Sequence, residues 1–135
     1  MDFVISPLGD LAVVLSFGTE INEKTNRQIQ SFVSKLEKEN IRGIAEWVPA
    51  YTSLTIYYHP EVIDYDSLKA ELERVGMSPG QSETDRPLVY EIPVCYGGEW
   101  GQDLAYVANY HGLDEQEVIN LHANREYLIY MMGFM

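Results

Sequence analysis

The chain has 135 residues, of which 46% are hydrophobic, and this composition predicts a packed globular protein with one ordinary domain or two small ones. Its 21 acidic and 9 basic side chains give a net charge of −12, which repels phosphate backbones and anionic membranes and argues against nucleic acids and membranes as partners. The single cysteine excludes an intrachain disulfide, and no apolar run is long enough for a signal core or a membrane span, so a cytoplasmic location is expected.

The first 78 residues predict an α+β domain with the element order β-β-α-β-β-α. Ile29, Phe32 and Leu36 recur at the spacing of one helix face. In chain order the predicted elements are strands at 3–5 and 11–17, a helix from Asn22 to Asn40, strands at 44–48 and 54–58, and a helix that Asp64 or Asp66 caps and Gly76 ends. We expect both helices on one face of an antiparallel sheet, with a ferredoxin-like arrangement as the nearest familiar layout.

Residues 79–87 have almost no apolar content and are the best candidate for a linker, so domains are predicted at 1–78 and 88–135. The second part predicts a strand up to residue 96, two short helices and a final strand at 127–132. Cys95 lies in the first of these strands, where a buried structural thiol is expected. Two strands and two short helices rarely form an independent core, so this part is expected to need other protein surface.

The run from Glu91 to Leu104 predicts a strand, a glycine-rich corner and the start of a helix. Gly97 and Gly98 permit positive φ, and their backbone N–H groups are candidates to bind a carboxylate or an oxyanion. If the two strands of the second part are neighbours, Tyr96 and Tyr130 would line a cleft beside this corner. A tight turn without any ligand fits the same pattern.

Three side chains in the second part are candidate catalytic groups: Glu99, Asp103 and His122. The two carboxylates suit a general base or a contact to a lysine of a partner, although Asp103 is also placed to act as an ordinary helix N-cap. His122 lies near a predicted helix C-terminus, where a structural role would also suffice. The spacing of the three histidines predicts no metal site.

Three segments together carry a resemblance to a known family: Pro49–Leu54, Glu91–Leu104 and Glu126–Phe134. The chain resembles the first subunit of the allophanate hydrolase and carboxyltransferase-type proteins, a family that includes the B-type subunit of bacterial 5-oxoprolinase and the sporulation-kinase inhibitor KipI. The resemblance implies that residues 88–135 are the incomplete start of a cyclophilin-like β-barrel. We expect the strand at 127–132 to pair with another chain, either a partner or a second copy in a homo-oligomer.

The resemblance implies a function as a non-autonomous subunit of an ATP-dependent 5-oxoprolinase, which opens 5-oxo-L-proline to L-glutamate. Its implied partners are a companion carboxyltransferase-like subunit and a third subunit. The complex would use ATP, but this chain alone would bind no cofactor, since its sequence has no Walker A loop. The alternatives are a KipI-like inhibitor of a sensor histidine kinase and a subunit of an allophanate hydrolase or urea carboxylase.

The segment Tyr51, Thr52 and Ser53 is a candidate partner-binding site. Many members of the family carry arginine where Thr52 stands. If that arginine holds an anionic group, Thr52 cannot replace its bidentate charged contact. Ser53 is interpreted as a turn hydroxyl.

Overall fold

The structure, a computed structural model, describes residues 2–78 and 88–131, which form two compact units. Unit 1 contains residues 2–78 and 128–131, and unit 2 contains residues 88–127. The predicted linker at 79–87 lies outside the described residues, as does the end of the predicted last strand. The domain boundaries at 78 and 88 therefore stay a prediction.

Unit 1 has the predicted element order, which confirms the α+β fold class. Its elements are β1 (Val4–Leu8), β2 (Ala12–Ser16), α1 (Glu23–Glu39), β3 (Ile44–Pro49), β4 (Ser53–Tyr58) and α2 (Tyr65–Met77). The strands form one antiparallel sheet in the order β1-β2-β4-β3. If β2, β3, β4 and β1 are counted in that order as strands one to four, the sheet has the strand order of a ferredoxin-like fold.

The core of unit 1 lies between one face of the sheet and the two helices. Alternate residues of a strand point to the same face, so the central strands β2 and β4 present an apolar row to α1 and α2. Each such side chain contributes about 1.5–3 kcal/mol when it leaves water. The largest fully buried side chains are Phe32, Leu15, Ile29, Leu36, Leu54, Ile56, Leu68, Leu72, Val13 and Val75.

Side-chain caps fix where both helices begin. Asn22 accepts a hydrogen bond from the backbone N–H of Thr25 at 2.9 Å, as its position predicts. Asp64, not Asp66, caps α2 by accepting from the N–H of Ser67 at 2.8 Å. The N–H and hydroxyl groups of Ser67 stabilise the Asp64 carboxylate and hold the pKa of Asp64 below its ordinary value.

The prediction that Gly76 ends α2 is wrong, because the helix continues to Met77 and Ser78 is its C-cap. The reason for glycine at this position is space. A Cβ on Gly76 would lie 2.4 Å from Cε1 of Phe3. The Phe3 ring is itself packed against Phe17 and Phe32, at centroid distances of 5.5 and 5.3 Å.

Unit 2 contains a 3₁₀ turn at Gly98–Trp100 followed by helices α3 (Leu104–His111) and α4 (Glu115–Ala123). Gly112, with φ 66°, ends α3, and the predicted capping box of Asp114 and Glu117 is present at the start of α4. Among the described residues of unit 2, Ala108 alone is buried. Unit 2 therefore has little core of its own.

The predicted strands at both ends of the second part are wrong within residues 88–97 and 124–131, where the chain forms no β-ladder. A strand requires a neighbour for its N–H and C=O groups, and neither range has a neighbouring strand among the described residues. Cys95 is consequently exposed, which corrects the expectation of a buried thiol. No helix in the described ranges combines the length and the apolar content that a membrane span requires.

The substitution Gly76→Ala tests the close contact with Phe3. We expect it to lower the free energy of unfolding of unit 1 by about 1–3 kcal/mol, because the new methyl group overlaps a ring held by two other rings. In a Phe3→Ala background the same substitution should be neutral or stabilising, since alanine is the better helix former. Urea denaturation of the four proteins of this double-mutant cycle measures the coupling. An equal cost in both backgrounds would contradict the contact.

Candidate functional site

The glycine corner, residues Gly97 to Gly101, is a closed turn. Gly97 has φ 72° and Gly98 has φ 56°, which confirms that these two positions need the conformational freedom of glycine. The N–H of Gly101 donates to the carbonyl oxygen of Gly97 at 3.0 Å and closes the turn. A Cβ on Gly101 would lie 2.6 Å from the backbone nitrogen of Gly97, whereas one on Gly98 would meet no atom within 4 Å.

The predicted acidic residues lie at the corner itself. Glu99 is in the 3₁₀ turn and Asp103 immediately precedes α3, and both are exposed. Asp103 makes no side-chain hydrogen bond as a cap. The N–H of Leu104 instead donates to the carbonyl oxygen of Gly101 at 3.1 Å, so the backbone itself connects the corner to α3. A catalytic or partner-binding role for the two carboxylates stays a prediction.

His122 lies in an aromatic cluster of unit 2, which also contains Tyr96 and Tyr127. The hydroxyl of Tyr96 is 2.5 Å from Nδ1 of His122, and the two rings meet edge to face at 5.7 Å. The hydroxyl of Tyr127 donates to the backbone carbonyl of His122 at 3.1 Å, and its ring centroid is 5.6 Å from the imidazole. The structure thus brings together Tyr96 and His122, which the sequence pattern assigns to separate roles.

Unit 1 contains the remaining predicted site residues. Tyr51 and Thr52 form the turn between β3 and β4, and Ser53 is the first residue of β4. The carbonyl of Thr52 accepts from the N–H of Phe17 at 2.9 Å. The rings of Tyr51 and Tyr130 lie 5.8 Å apart. Tyr130 belongs to unit 1 while Tyr96 belongs to unit 2, and the cleft expected between them stays a prediction.

Asn26 is a contact residue that the sequence pattern does not indicate. It is 5% exposed, and its side-chain amide donates to the carbonyl oxygen of Tyr130 at 3.4 Å. The two residues are 104 positions apart, so no local pattern signals the contact. Asn26 attaches the returning segment 128–131 to the first turn of α1.

The described residues hold no group of three or more histidine, cysteine, aspartate or glutamate side chains placed to bind a metal ion. The chemistry that the described side chains offer is hydrogen bonding and proton transfer. Tyrosine hydroxyl groups, the histidine ring and backbone N–H groups supply the donors for it.

Comparison with known proteins places the chain in a family. The family described as "Carboxyltransferase domain, subdomain C and D" matches residues 3–135. The chain is 40% identical to the B-type subunit of 5-oxoprolinase from Bacillus subtilis (strain 168), over 98% of this chain and 59% of that protein. The chain therefore spans about three fifths of the length of this curated relative.

Two solved structures are similar to the chain. The crystal structure of TTHA0988 matches with a TM-score of 0.74 at 33% identity, covering 90% of this chain and 23% of that one. A conserved uncharacterized protein from Pyrococcus horikoshii matches with a TM-score of 0.53 at 35% identity, covering 98% of this chain and 60% of that one. Both likenesses extend over nearly all of the present chain.

Two alanine substitutions distinguish the two reasons for glycine in the corner, which are lack of space at Gly101 and a positive φ at Gly98. Gly101→Ala should distort the corner, because its Cβ meets the backbone of Gly97 and cannot be accommodated by a side-chain movement. Gly98→Ala, the matched control, adds a methyl group in open space and incurs only the cost of a left-handed conformation, about 1–2 kcal/mol. Amide shifts in ¹H–¹⁵N spectra should change from Tyr96 to Leu104 in the first variant and only next to residue 98 in the second. Equal perturbations would contradict this account of the corner.

Proposed function

The chain belongs to the family of the carboxyltransferase domain, subdomain C and D, and from this membership we propose that it is a subunit of an ATP-dependent 5-oxoprolinase. This enzyme would open the lactam ring of 5-oxo-L-proline to give L-glutamate. The single observation that carries the proposal is the 40% identity to the B-type subunit of a 5-oxoprolinase over 98% of the chain. The family match includes the glycine corner and the aromatic cluster of unit 2, since it extends over residues 3–135.

The low reactivity of the lactam explains why such an enzyme would need both ATP and hydrogen-bond donors. A lactam is an unreactive amide, and transfer of the γ-phosphoryl group of ATP to its carbonyl oxygen, with release of ADP, would activate the ring carbon. Water would then add to that carbon and the ring C–N bond would break, leaving an acyl phosphate that a second water hydrolyses to glutamate and phosphate. Fixed hydrogen-bond donors would hold this oxygen in position for the transfer. In the glycine corner the N–H of Gly101 already donates to Gly97, so the proposed donors are the backbone N–H groups of Gly97 and Gly98.

The chain would act with other subunits. Since the sequence has no Walker A loop, ATP would be held by the complex and not by this chain alone. The proposed partners are a companion carboxyltransferase-like subunit and a third subunit. The little-buried unit 2 favours such an arrangement, because its exposed apolar side chains suit an interface. Among them are Trp100, Tyr106 and Tyr110, which are 70–76% exposed.

Reconstitution tests the proposed function. The chain is mixed with the two companion subunits, 5-oxo-L-proline and ATP, and glutamate is measured. We expect glutamate formation only when all three proteins are present. Full activity without the chain would overturn the proposal. Heat-denatured chain is the control for carried-over activity.

A second candidate function has one observation in its favour. Unit 1 encloses its own core, so it has the means to act as a binding domain independently of unit 2. A KipI-like inhibitor of a sensor histidine kinase would use such a domain. Adding the full chain to a kinase autophosphorylation assay distinguishes the two candidates, since a component of a 5-oxoprolinase should leave phosphorylation unchanged.

A further inference from the structure

The geometry of the aromatic cluster points to a specific role for two of its residues, and this inference rests on the proposed function. We infer that His122 donates a hydrogen bond from Nε2 to the lactam carbonyl oxygen of the substrate. Tyr96 is the positioning residue that selects the required form of the imidazole. In this role His122 is a substrate-binding donor that Tyr96 connects to the residue before the glycine corner.

The first step in the argument is the hydrogen bond between Tyr96 and His122. The hydroxyl of Tyr96 is 2.5 Å from Nδ1 of His122. A phenol O–H is a better donor than the N–H of a neutral imidazole, and an imidazole nitrogen is the better acceptor of the two. Tyr96 therefore donates to Nδ1, and the ring carries its proton on Nε2, because the partner of one ring nitrogen determines the state of the other.

The second step is the fixed position of the ring. Tyr96 contacts the imidazole edge to face, and Tyr127 lies against it at a centroid distance of 5.6 Å. Tyr127 also donates to the backbone carbonyl of His122, in the last turn of α4, where carbonyl groups have no partner within the helix. Both the side chain and the main chain of His122 are therefore held. A donor fixed in advance binds without the entropy cost of ordering it.

The third step is that the N–H on Nε2 of His122 is available to a substrate. Nε2 of His122 makes no hydrogen bond to another residue within 2–78 or 88–131, and the residue is exposed. Tyr96, which holds the opposite side of the ring, directly precedes Gly97. The imidazole is thereby tied to the residue next to the glycine corner, whose backbone N–H groups are the other proposed donors.

The electrostatic surroundings favour a neutral amide oxygen as the acceptor. Between residues 88 and 127, the described part of unit 2, there are seven acidic side chains and one basic side chain, Arg125. Such a field disfavours an anionic group at the imidazole, so the uncharged lactam carbonyl, and not the carboxylate of 5-oxo-L-proline, is the group expected to meet Nε2. An imidazole N–H matches the carbonyl oxygen of a cyclic amide as a hydrogen-bond donor.

The rival interpretation is that Tyr96 and His122 only connect the segment before the corner to α4. Two nearly isosteric substitutions separate the two interpretations. His122→Asn places an acceptor where Nδ1 was and keeps the contact with Tyr96, but it removes the donor at Nε2. His122→Gln places a donor near the position of Nε2 and gives up the acceptor at Nδ1.

The test is steady-state kinetics of the reconstituted complex with each variant, together with the thermal unfolding midpoint of the variant chain. For His122→Asn we expect an unchanged midpoint and a kcat/KM for 5-oxo-L-proline about tenfold lower, as for the loss of one strong hydrogen bond. His122→Gln should retain more kcat/KM than His122→Asn although it is less stable. Wild-type kcat/KM in His122→Asn would overturn the donor role. Inactivity of the wild-type mixture would overturn the proposed function and the donor role with it.

A spectroscopic measurement tests the positioning role of Tyr96 without any substrate. The ¹⁵N shifts of the His122 ring distinguish its two neutral forms, and the full chain should show the proton on Nε2. Tyr96→Phe should shift the ring toward a mixture of the two forms, whereas Tyr127→Phe, the matched control, should leave the form unchanged. A proton on Nδ1 in the wild-type chain, or no change in Tyr96→Phe, would contradict the positioning role.

Discussion

The burial of the central strands β2 and β4 against two amphipathic helices is the interaction on which the described structure depends. Val13, Leu15, Leu54 and Ile56 are each 0% exposed, and together with the helix residues they give unit 1 a closed core. Unit 2 has no comparable layer among its described residues. Its form depends on local hydrogen bonds: the capping box, the closed glycine corner and the contacts of His122. Local bonds of this kind hold side chains in place but contribute little to global stability.

The sequence predicted the elements of unit 1 well, because their signals are local. The apolar spacing of α1, the alternation in β4 and the Asn22 cap are all set by neighbouring residues. Gly76 was misjudged because its neighbour Phe3 is far away in the chain. The predicted strands of the second part failed for a related physical reason. Strand propensity forms a ladder only where a partner strand exists, and a sequence pattern does not show whether one does.

The candidate site was predictable only in part. The positive φ of Gly97 and Gly98 follows from the glycine pattern, and the family followed from three segments of the sequence. The contact between Tyr96 and His122 joins residues 26 positions apart and depends on how α4 meets the preceding segment. Such a contact is a property of tertiary packing, so the sequence could indicate the two residues but not the pair.

The central proposal is that the site of unit 2 is completed by other subunits of a 5-oxoprolinase. Amide hydrogen exchange of the chain, alone and with the companion carboxyltransferase-like subunit, tests this claim most directly. Exchange at 88–111 should be fast in the isolated chain and slow in the mixture, while the amides of β2 and β4 stay protected in both. Unchanged fast exchange at 88–111 in the presence of the companion subunit would contradict the account.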